Sequence, residues 1–394
     1  MLSPDDYSPD SAEEYDSDEY SPLEPNFPIL YSRVSEATGR QIISSRKLTR
    51  GRYHEIFILS SSDGWSCIAR FARCTQSEEK IFSEVATMQY VRAHSTIPVP
   101  EIYLFDASSE NEIGMQYIVM QRIEGKHLYS MWDDLPIEHQ KAVLEEIASV
   151  LTKLSDIKFD KIGSLSKDGT VGPLLRGQGI QIDGVDSVTT VCSGPFMTSQ
   201  DFLMSFLSSY ASEPLLEDVV EAVKDVVNRY CISHSEASFI RPPFRLIHAD
   251  FDGQNMLFSD PALTNGAPPM LKGIIDWEYA YVGPLYFLYE YPIFVQDVSW
   301  SKEYYARNLV LRQHFVRALQ QKFSPDSEQW EEVKQCFPAA KCSTMNEYNR
   351  LLMAGYDWDL ETLKRSLEEY VKGEREGTGK PYTGRMDWTP DGEV

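Results

Sequence analysis

The apolar residues between positions 40 and 125 fall mostly into short runs of the length that strands have. HEIFILS and CIARFAR are two such runs, and the turn SSDG between them predicts a β-hairpin. Further along, IPVPEIYLFDAS carries two prolines and begins another run, and QYIVMQRIEG is an apolar run that ends at Gly125. The pattern therefore predicts four strands in this part of the chain.

One segment between the second and third of these runs has the period of a helix. In SEEKIFSEVATMQYVRAH the apolar residues repeat three or four positions apart, at Ile81, Val85, Met88 and Val91. Ser77 stands where an N-cap is expected, and the prolines that follow end the helix. Strand, strand, helix, strand and strand make a compact α+β unit.

After Gly125 the pattern becomes mostly helical. EHQKAVLEEIASVLTKLSDI carries one apolar stripe, formed by Val143, Ile147, Val150, Leu151 and Leu154. TSQDFLMSFLSSYA, LLEDVVEAVKDVVNRYC and the segments 302–322, 344–354 and 357–371 predict further helices. FRLIH, NMLF and LKGIID are the only strand-like pieces that we identify in this half of the chain.

These two units predict an α+β, bilobal architecture. It has a small antiparallel-sheet-plus-helix N-lobe, a connection near residues 121–127 and a larger, mainly helical C-lobe. Ligand sites are common in the crevice between two such units. The predicted divisions are an acidic disordered tail at 1–30, the N-terminal lobe at 31–124, the C-terminal lobe at 125–372 and a loose tail at 373–394.

The charge balance narrows the classes of partner. The 394 residues include 37 Lys and Arg against 60 Asp and Glu, a formal net charge of −23, and nine of the acids lie in residues 1–24. Such a surface repels phosphate backbones, so we predict no nucleic-acid partner. No apolar run approaches the roughly 20 residues that cross a bilayer, so we predict no membrane association.

The cysteines and the N-terminus bear on the compartment. The six cysteines are scattered without a CxxC pair, which indicates neither a zinc site nor a disulfide framework. The first residues, MLSPDDYSPDSAEEYDSDEY, are acidic and have no apolar core, unlike a secretory signal or a basic transit peptide. We therefore predict a cytoplasmic protein.

The stretch LIHADFDGQNMLF, residues 246–258, packs polar side chains between two apolar ends. Burying polar groups is costly unless each has a partner. A second apolar strand, in GIIDWE, ends at Asp276. Asn255 and Asp276 can supply oxygen ligands to Mg²⁺, a hard cation that takes its remaining ligands from water and phosphate. Asp250 is then left to face a hydroxyl.

Phosphoryl transfer uses this set of parts: a carboxylate that orients the acceptor hydroxyl, and Asn and Asp oxygens that fix metal ions on the phosphates. HADFDGQN followed by IIDWE resembles the H-x-D-x-x-x-x-N and I-D-W/F segments of the aminoglycoside phosphotransferase and choline kinase family, whose fold is similar to that of protein kinases. SEVATMQYVRAHSTIPVPEIYLFDASSENEIGMQYIVMQRIEG further resembles the large fungal branch of that family. The resemblance covers about residues 40–300.

Carried over position by position, the resemblance implies roles for the polar cluster. Asp250 is implied to be the catalytic base, and Asn255 and Asp276 are implied to be the magnesium ligands. His248 is implied to brace the metal loop through hydrogen bonds rather than to act as a base. Asp252 and Gln254 receive no role beyond satisfying the loop, where such side chains are common.

Kinases also use a strand lysine that contacts the phosphates and pairs with a glutamate of the following helix. The equivalent stretch here is CIARFAR, whose alternation puts Ile68 and Arg70 on one face. Arg70 then takes the position of the lysine, with a flat fork that binds phosphate or carboxylate in two places. Glu84 is its natural partner. The alternative is a surface arginine and a solvated helix glutamate, since charged residues on strands and helices are usually exposed. Arg73, Glu78 and Glu79 are rival choices for the pair.

Three further positions are candidates for contact with nucleotide or substrate. LTRGRYHEIF stands where a loop covers the nucleotide, and it has one glycine, Gly51, where protein kinases have several. Gln121 lies where adenine would meet the connection between the lobes. Glu278, just past Asp276, can face the acceptor, although packing between the lobes explains it equally well.

The leading hypothesis is an ATP- and Mg²⁺-dependent phosphotransferase that acts on a hydroxyl of a small molecule. An acidic cleft would suit a cationic acceptor. A non-catalytic, kinase-like nucleotide-binding protein is the first alternative, favoured by Arg70 in place of lysine and by the sparse glycine loop. A protein kinase fits less well, because HAD and DWE replace H-R-D and D-F-G and no A-P-E follows. A metal hydrolase built on His248 lacks a second histidine nearby.

Overall fold

The structure is a computed structural model. It describes residues 23–51, 53–182, 185–210, 213–295, 301–324, 326–336 and 360–376. The acidic segment 1–22, the predicted helix at 344–354 and most of the predicted tail at 373–394 lie outside this range.

The N-lobe contains a five-stranded antiparallel sheet with the strand order β1-β2-β3-β5-β4. Its strands are β1 (Ile42–Arg50), β2 (His54–Ser61), β3 (Ser66–Ala72), β4 (Ile102–Asp106) and β5 (Tyr117–Gln121). The predicted hairpin is confirmed as β2 and β3. We did not predict β1, which is exposed at most positions and has no apolar alternation to mark it.

Two helices, α1 (Phe27–Thr38) and α2 (Glu78–His94), flank this sheet. The hydroxyl of Ser77 accepts a hydrogen bond from the backbone N–H of Lys80 at 3.3 Å, as expected of the predicted N-cap. Helix α1 was not predicted and begins inside the segment 1–30 that we took as a disordered tail. That boundary is wrong because Leu30 is fully buried against the sheet.

The alternation of the central strands explains how the N-lobe forms two apolar layers. Tyr117 and Val119 of β5 join the cluster that contains α1, whereas Ile118 and Met120 join the cluster that contains α2. Strand β5 is therefore buried on both faces, which accounts for its continuous apolar sequence. The same alternation turns Arg70 of β3 toward α2 and the C-lobe.

The connection between the lobes passes through a tight contact. Strand β6 (Lys126–His127) follows Gly125 and pairs with β11 (Met256–Phe258) of the C-lobe. A Cβ atom on Gly125 would lie 2.7 Å from the carbonyl oxygen of Phe258, so only glycine fits this close approach without a shift.

The part of the C-lobe that the structure describes is mainly helical with three small sheets. Its helices are α3 (Ile137–Ser155), α4 (Ser199–Ser205), α5 (Glu217–Ser233), α6 (Leu285–Leu288), α7 (Lys302–Gln320), α8 (Glu328–Lys334) and α9 (Leu360–Glu376). The remaining strands are β7 (Lys158–Phe159), β8 (Leu174–Ile182), β9 (Val185–Ser193), β10 (Phe244–Ile247), β12 (Leu271–Ile274) and β13 (Tyr281–Gly283).

The predicted stripe of α3 is buried throughout and packs in one continuous core with α2, α5 and α7. The predicted segment 302–322 is confirmed as α7, and the segment 357–371 corresponds to α9. The expectation of only three strand-like pieces in this lobe is wrong, because β8 and β9 form a long antiparallel hairpin. None of the described helices is long and apolar enough to cross a membrane.

Candidate active site

The pairing of two short strands brings the predicted metal ligands together. Met256 of β11 lies opposite Ile274 of β12 in an antiparallel pair. The backbone N–H of Ile275 donates to the carbonyl oxygen of Asn255 at 2.9 Å. Asn255, which precedes β11, and Asp276, which follows β12, are therefore side by side at one end of this sheet.

Asp250 lies on the loop that runs from β10 to β11 and is exposed. The Nδ2 group of Asn255 donates to its Oδ2 atom at 2.7 Å and to its carbonyl oxygen at 3.0 Å. These two bonds fix the orientation of the Asp250 carboxylate. They also use the amide nitrogen of Asn255, so the Oδ1 atom is the group of that side chain that can bind a cation.

His248 is buried behind this loop. Its Nε2–H donates to the carbonyl oxygen of Ile275 at 2.9 Å, and its ring lies 4.6 Å from that of Trp277 in an edge-on arrangement. Burial lowers the pKa of His248. Since the hydrogen bond joins the loop of Asp250 to the turn of Asp276, the position suits the bracing role that the sequence predicts.

We expect the free energy of unfolding to decrease as the pH is lowered, and His248 to be responsible for part of that decrease. Burial puts the pKa of the folded imidazole below the ordinary 6.5, so the unfolded chain takes up the proton first as the pH drops. The stability that the neutral imidazole of His248 contributes is fully present above its ordinary pKa. As the pH falls below that pKa, this stability is lost by up to about 1.4 kcal/mol per pH unit. Urea unfolding of the native chain and of His248→Asn, between about pH 8 and pH 5.5, should give a shallower slope for the variant. Equal slopes would contradict the assignment.

Arg70 reaches this turn from the N-lobe. Its Nη2 group donates to Glu84 of α2, and its Nη1 group donates to Oδ1 of Asp276 at 3.2 Å. Arg70 and Glu84 are buried, whereas 35% of the Asp276 side chain is exposed. Burial lowers the pKa of Arg70, but Glu84 and Asp276 outweigh it and hold the pKa above its ordinary value.

The rival choices for this pair lie elsewhere. Arg73 donates from Nη1 to Glu55 at 3.1 Å, on the sheet rather than at the turn. Glu78 and Glu79 are exposed at the first turn of α2. The structure therefore brings Arg70 and Glu84 together, as the alternation of β3 predicts.

The carboxylate of Asp276 is a candidate ligand for a cation. Burial and, after it, the charge of Glu278 raise the pKa of Asp276, Arg70 opposes them, and the net result is a pKa of about 7. Within the described residues, no group of three or more His, Cys, Asp and Glu side chains can hold a metal by itself. The oxygens of Asn255 and Asp276 fit Mg²⁺ if phosphate and water complete its ligands, which is how this ion is usually bound.

The other candidates are placed as follows. Gly51 lies at the end of β1, and its N–H donates to the carbonyl oxygen of His54 at 2.8 Å. Gln121 joins β5 to the start of β4, since its N–H donates to the carbonyl oxygen of Glu101 at 2.7 Å. Contacts of Gly51 and Gln121 with nucleotide stay predictions. Glu278 does not face open solvent but contacts the N-lobe.

Two residues of this contact were missed in the sequence. The Nζ group of Lys80 donates to Oε2 of Glu278 at 2.5 Å, and the Nε2 atom of His54 lies 4.0 Å from the same oxygen. Burial, followed by Arg70 and Lys80, lowers the pKa of His54 well below its ordinary value. One signal for Lys80 was available: it lies four residues before Glu84, on the same face of α2.

Comparisons with known proteins agree with this architecture. Residues 46–287, more than half of the chain, match the profile of the phosphotransferase enzyme family, APH. The solved structure of aminoglycoside phosphotransferase APH(2'')-Ib, with ADP bound, aligns with a TM-score of 0.51 and 14% identity, over 89% of this chain and 98% of that one. The predicted α+β kinase-like fold is confirmed.

Two fungal relatives match shorter segments. A subtelomeric hrmA-associated cluster protein of Aspergillus fumigatus is 37% identical over 121 residues, which is 30% of this chain and 24% of that protein. Altered inheritance of mitochondria protein 9, mitochondrial, of Debaryomyces hansenii is 32% identical over 155 residues, 36% of this chain and 25% of that protein. The matches thus span about a quarter of these relatives. The mitochondrial relatives contradict the cytoplasmic location that we predicted from cysteines and N-terminus.

Proposed function

The chain belongs to the APH phosphotransferase family, and on that premise we propose that it transfers the γ-phosphoryl group of ATP, with Mg²⁺, to a hydroxyl of a small molecule. The observation that carries the proposal is the convergence of Asp250, Asn255 and Asp276 at the end of the β11–β12 pair, opposite Arg70 and Glu84. A carboxylate for the acceptor, oxygens for the metal and a cation for the phosphates are the parts that this reaction needs.

Asp250 is the group proposed to accept the hydrogen bond of the acceptor hydroxyl. It is exposed, and Asn255 holds its carboxylate through Nδ2 at 2.7 Å. A carboxylate fixed in this way can orient a hydroxyl for in-line attack and take its proton. The nearby Asp252 is not proposed for this role, because its carboxylate accepts a hydrogen bond from the N–H of Gly253.

Asn255 and Asp276 are the residues proposed to hold Mg²⁺, which would neutralise negative charge on the phosphates. Arg70 is the proposed phosphate-binding cation, with Glu84 fixing one edge of its guanidinium group. We propose Gly51 and Gln121 as contacts of the nucleotide through the backbone. The acidic side chains around the cleft would suit a cationic acceptor.

A nucleotide-binding protein without transfer is the second candidate. The observation in its favour is the 3.2 Å bond from Arg70 to Asp276, because the side chain proposed for the phosphates here engages the one proposed for the metal. Transfer would require Mg²⁺ and nucleotide together to replace this bond. Nucleotide binding without transfer would not require the bond to break.

Release of ADP from ATP, measured with and without Mg²⁺ across a panel of amino alcohols, aminosugars and neutral polyols, tests the proposal. We expect at least one hydroxyl compound to stimulate release, and chelation of Mg²⁺ to abolish it. A nucleotide-induced rise in melting temperature without stimulated release would favour the second candidate. No rise with or without Mg²⁺ would contradict both.

We also infer a mitochondrial location, which rests on the names of several relatives. Fluorescence of a C-terminal fusion in a fungal cell tests it, because the N-terminus of the expressed chain stays free. Co-localisation with a mitochondrial dye is expected. Uniform cytosolic signal would contradict the inference.

A further inference from the structure

Lys80 has an unusual position for a lysine on a helix. It lies in the first turn of α2, yet only 3% of it is exposed. Lysines are almost never buried unless they are paired. Besides its bond to Glu278, the Nζ group donates to Oε1 of Gln76 at 2.8 Å and lies 4.8 Å from the centre of the Tyr279 ring.

The segment that Lys80 contacts has a strained backbone. Asp276 and Tyr279 both have positive φ angles, of 60° and 57°. Residues other than glycine are strained in this conformation and persist in it only where their surroundings hold them. The indole N–H of Trp277 donates to the carbonyl oxygen of Ile274 at 3.0 Å, which ties this turn to the C-lobe. The bond from Lys80 to Glu278 ties it to the N-lobe.

We propose that Lys80 is a positioning residue, which acts through Glu278 to hold the turn 276–279 in the shape that presents Asp276 to Mg²⁺ and nucleotide. This inference rests on the proposed function and extends it. Helix α2 then orients the Asp276 carboxylate through two contacts, since Glu84 fixes Arg70 and Lys80 fixes Glu278. Residues that orient metal ligands from behind often matter nearly as much as the ligands.

For Lys80→Met, the loss of charge and the loss of the turn's anchor should change the affinity for Mg²⁺ in opposite directions. Removing a positive charge near Asp276 makes the site more negative, so Coulomb attraction alone would strengthen the binding of Mg²⁺. Loss of the turn's anchor would weaken it. The double variant Lys80→Met with Glu278→Gln removes one charge of each sign, so it leaves the net charge unchanged and tests position alone.

The first measurement is the Mg²⁺ concentration at which the ADP-induced rise in melting temperature is half-maximal. We expect it to increase roughly 10- to 100-fold in Lys80→Met, in Glu278→Gln and in the double variant, because the two side chains act as one unit. Lys141→Met, which removes an exposed pair with Glu138 on α3, should leave it unchanged. An unchanged or lower concentration in Lys80→Met, or a loss in the double variant equal to the product of the single losses, would overturn the proposal.

The second measurement needs no ligand. Hydrogen exchange of the backbone amides at 276–280 should be faster in Lys80→Met than in the native chain, while the amides of α5 keep their rates. Unchanged exchange at the turn overturns the proposal. Faster exchange in a chain whose melting temperature never responds to ADP and Mg²⁺ would support the positioning role and count against the proposed function instead, so the two failures are distinct.

Discussion

Asp250→Asn should lower kcat for the best acceptor by roughly 100- to 10,000-fold, the usual contribution of a positioned general base. Asparagine has nearly the same shape and can still accept the hydrogen bond from Asn255 Nδ2, so the loop should keep its form. It cannot take a proton at neutral pH. Because Asp250 is proposed to contact the acceptor rather than the nucleotide, the affinity for ADP with Mg²⁺ should stay close to that of the native protein. Steady-state kinetics and ADP-dependent melting measure the two quantities separately.

Asp252→Asn is a matched control for this prediction. It changes the same residue type two positions away, and the new side chain can still accept from the N–H of Gly253. The variant should retain most of its activity. Equal losses in both variants would mean that the charge of the loop, rather than the carboxylate of Asp250, supports turnover. Full activity of Asp250→Asn would remove Asp250 from the reaction.

The parts of the site that the sequence could predict are those fixed by local pattern. Asn255 and Asp276 each flank a short apolar strand, so the pairing of β11 with β12 was enough to bring them together. The orientation of Arg70 followed from the two-residue period of β3, and the start of α2 followed from Ser77. In these cases the side chain's position follows from the pattern of its own element or from the pairing of two short strands close in the sequence.

The features that we did not predict depend on residues far away in the chain, or had a local sequence signal that we did not use. Lys80 can be buried because Gln76 and Glu278, which lies 198 residues later, accept hydrogen bonds from its Nζ group, whereas a lysine on a helix is ordinarily exposed. The hairpin of β8 and β9 did have a local signal, the dipeptide Asp183-Gly184 between two strand-forming runs. Strand β1 had none, since its stability comes from pairing with β2 rather than from an apolar face.

Glu84→Gln should lower the free energy of unfolding by about 3–5 kcal/mol, the usual cost of leaving one member of a buried ion pair without its partner. Glu84 and Arg70 are both buried, and glutamine keeps the shape while it removes the charge. The salt bridge left to Arg70 would then be the one with Asp276, whose side chain is 35% exposed. Urea unfolding followed by tryptophan fluorescence measures the loss, and most of it should appear as a lower midpoint.

Glu79→Gln tests whether the expected loss of stability in Glu84→Gln comes from the burial of Glu84 rather than from removing any negative charge on α2. Glu79 lies five residues earlier on the same helix and is exposed, so its loss should cost at most about 1 kcal/mol through the helix dipole. Similar small costs for both variants would mean that solvent already screens the Arg70 pair. A large cost confined to Glu84→Gln would instead mean that the pair is held away from water. A guanidinium group held in that way is oriented before any phosphate arrives, which is the condition that its proposed role requires.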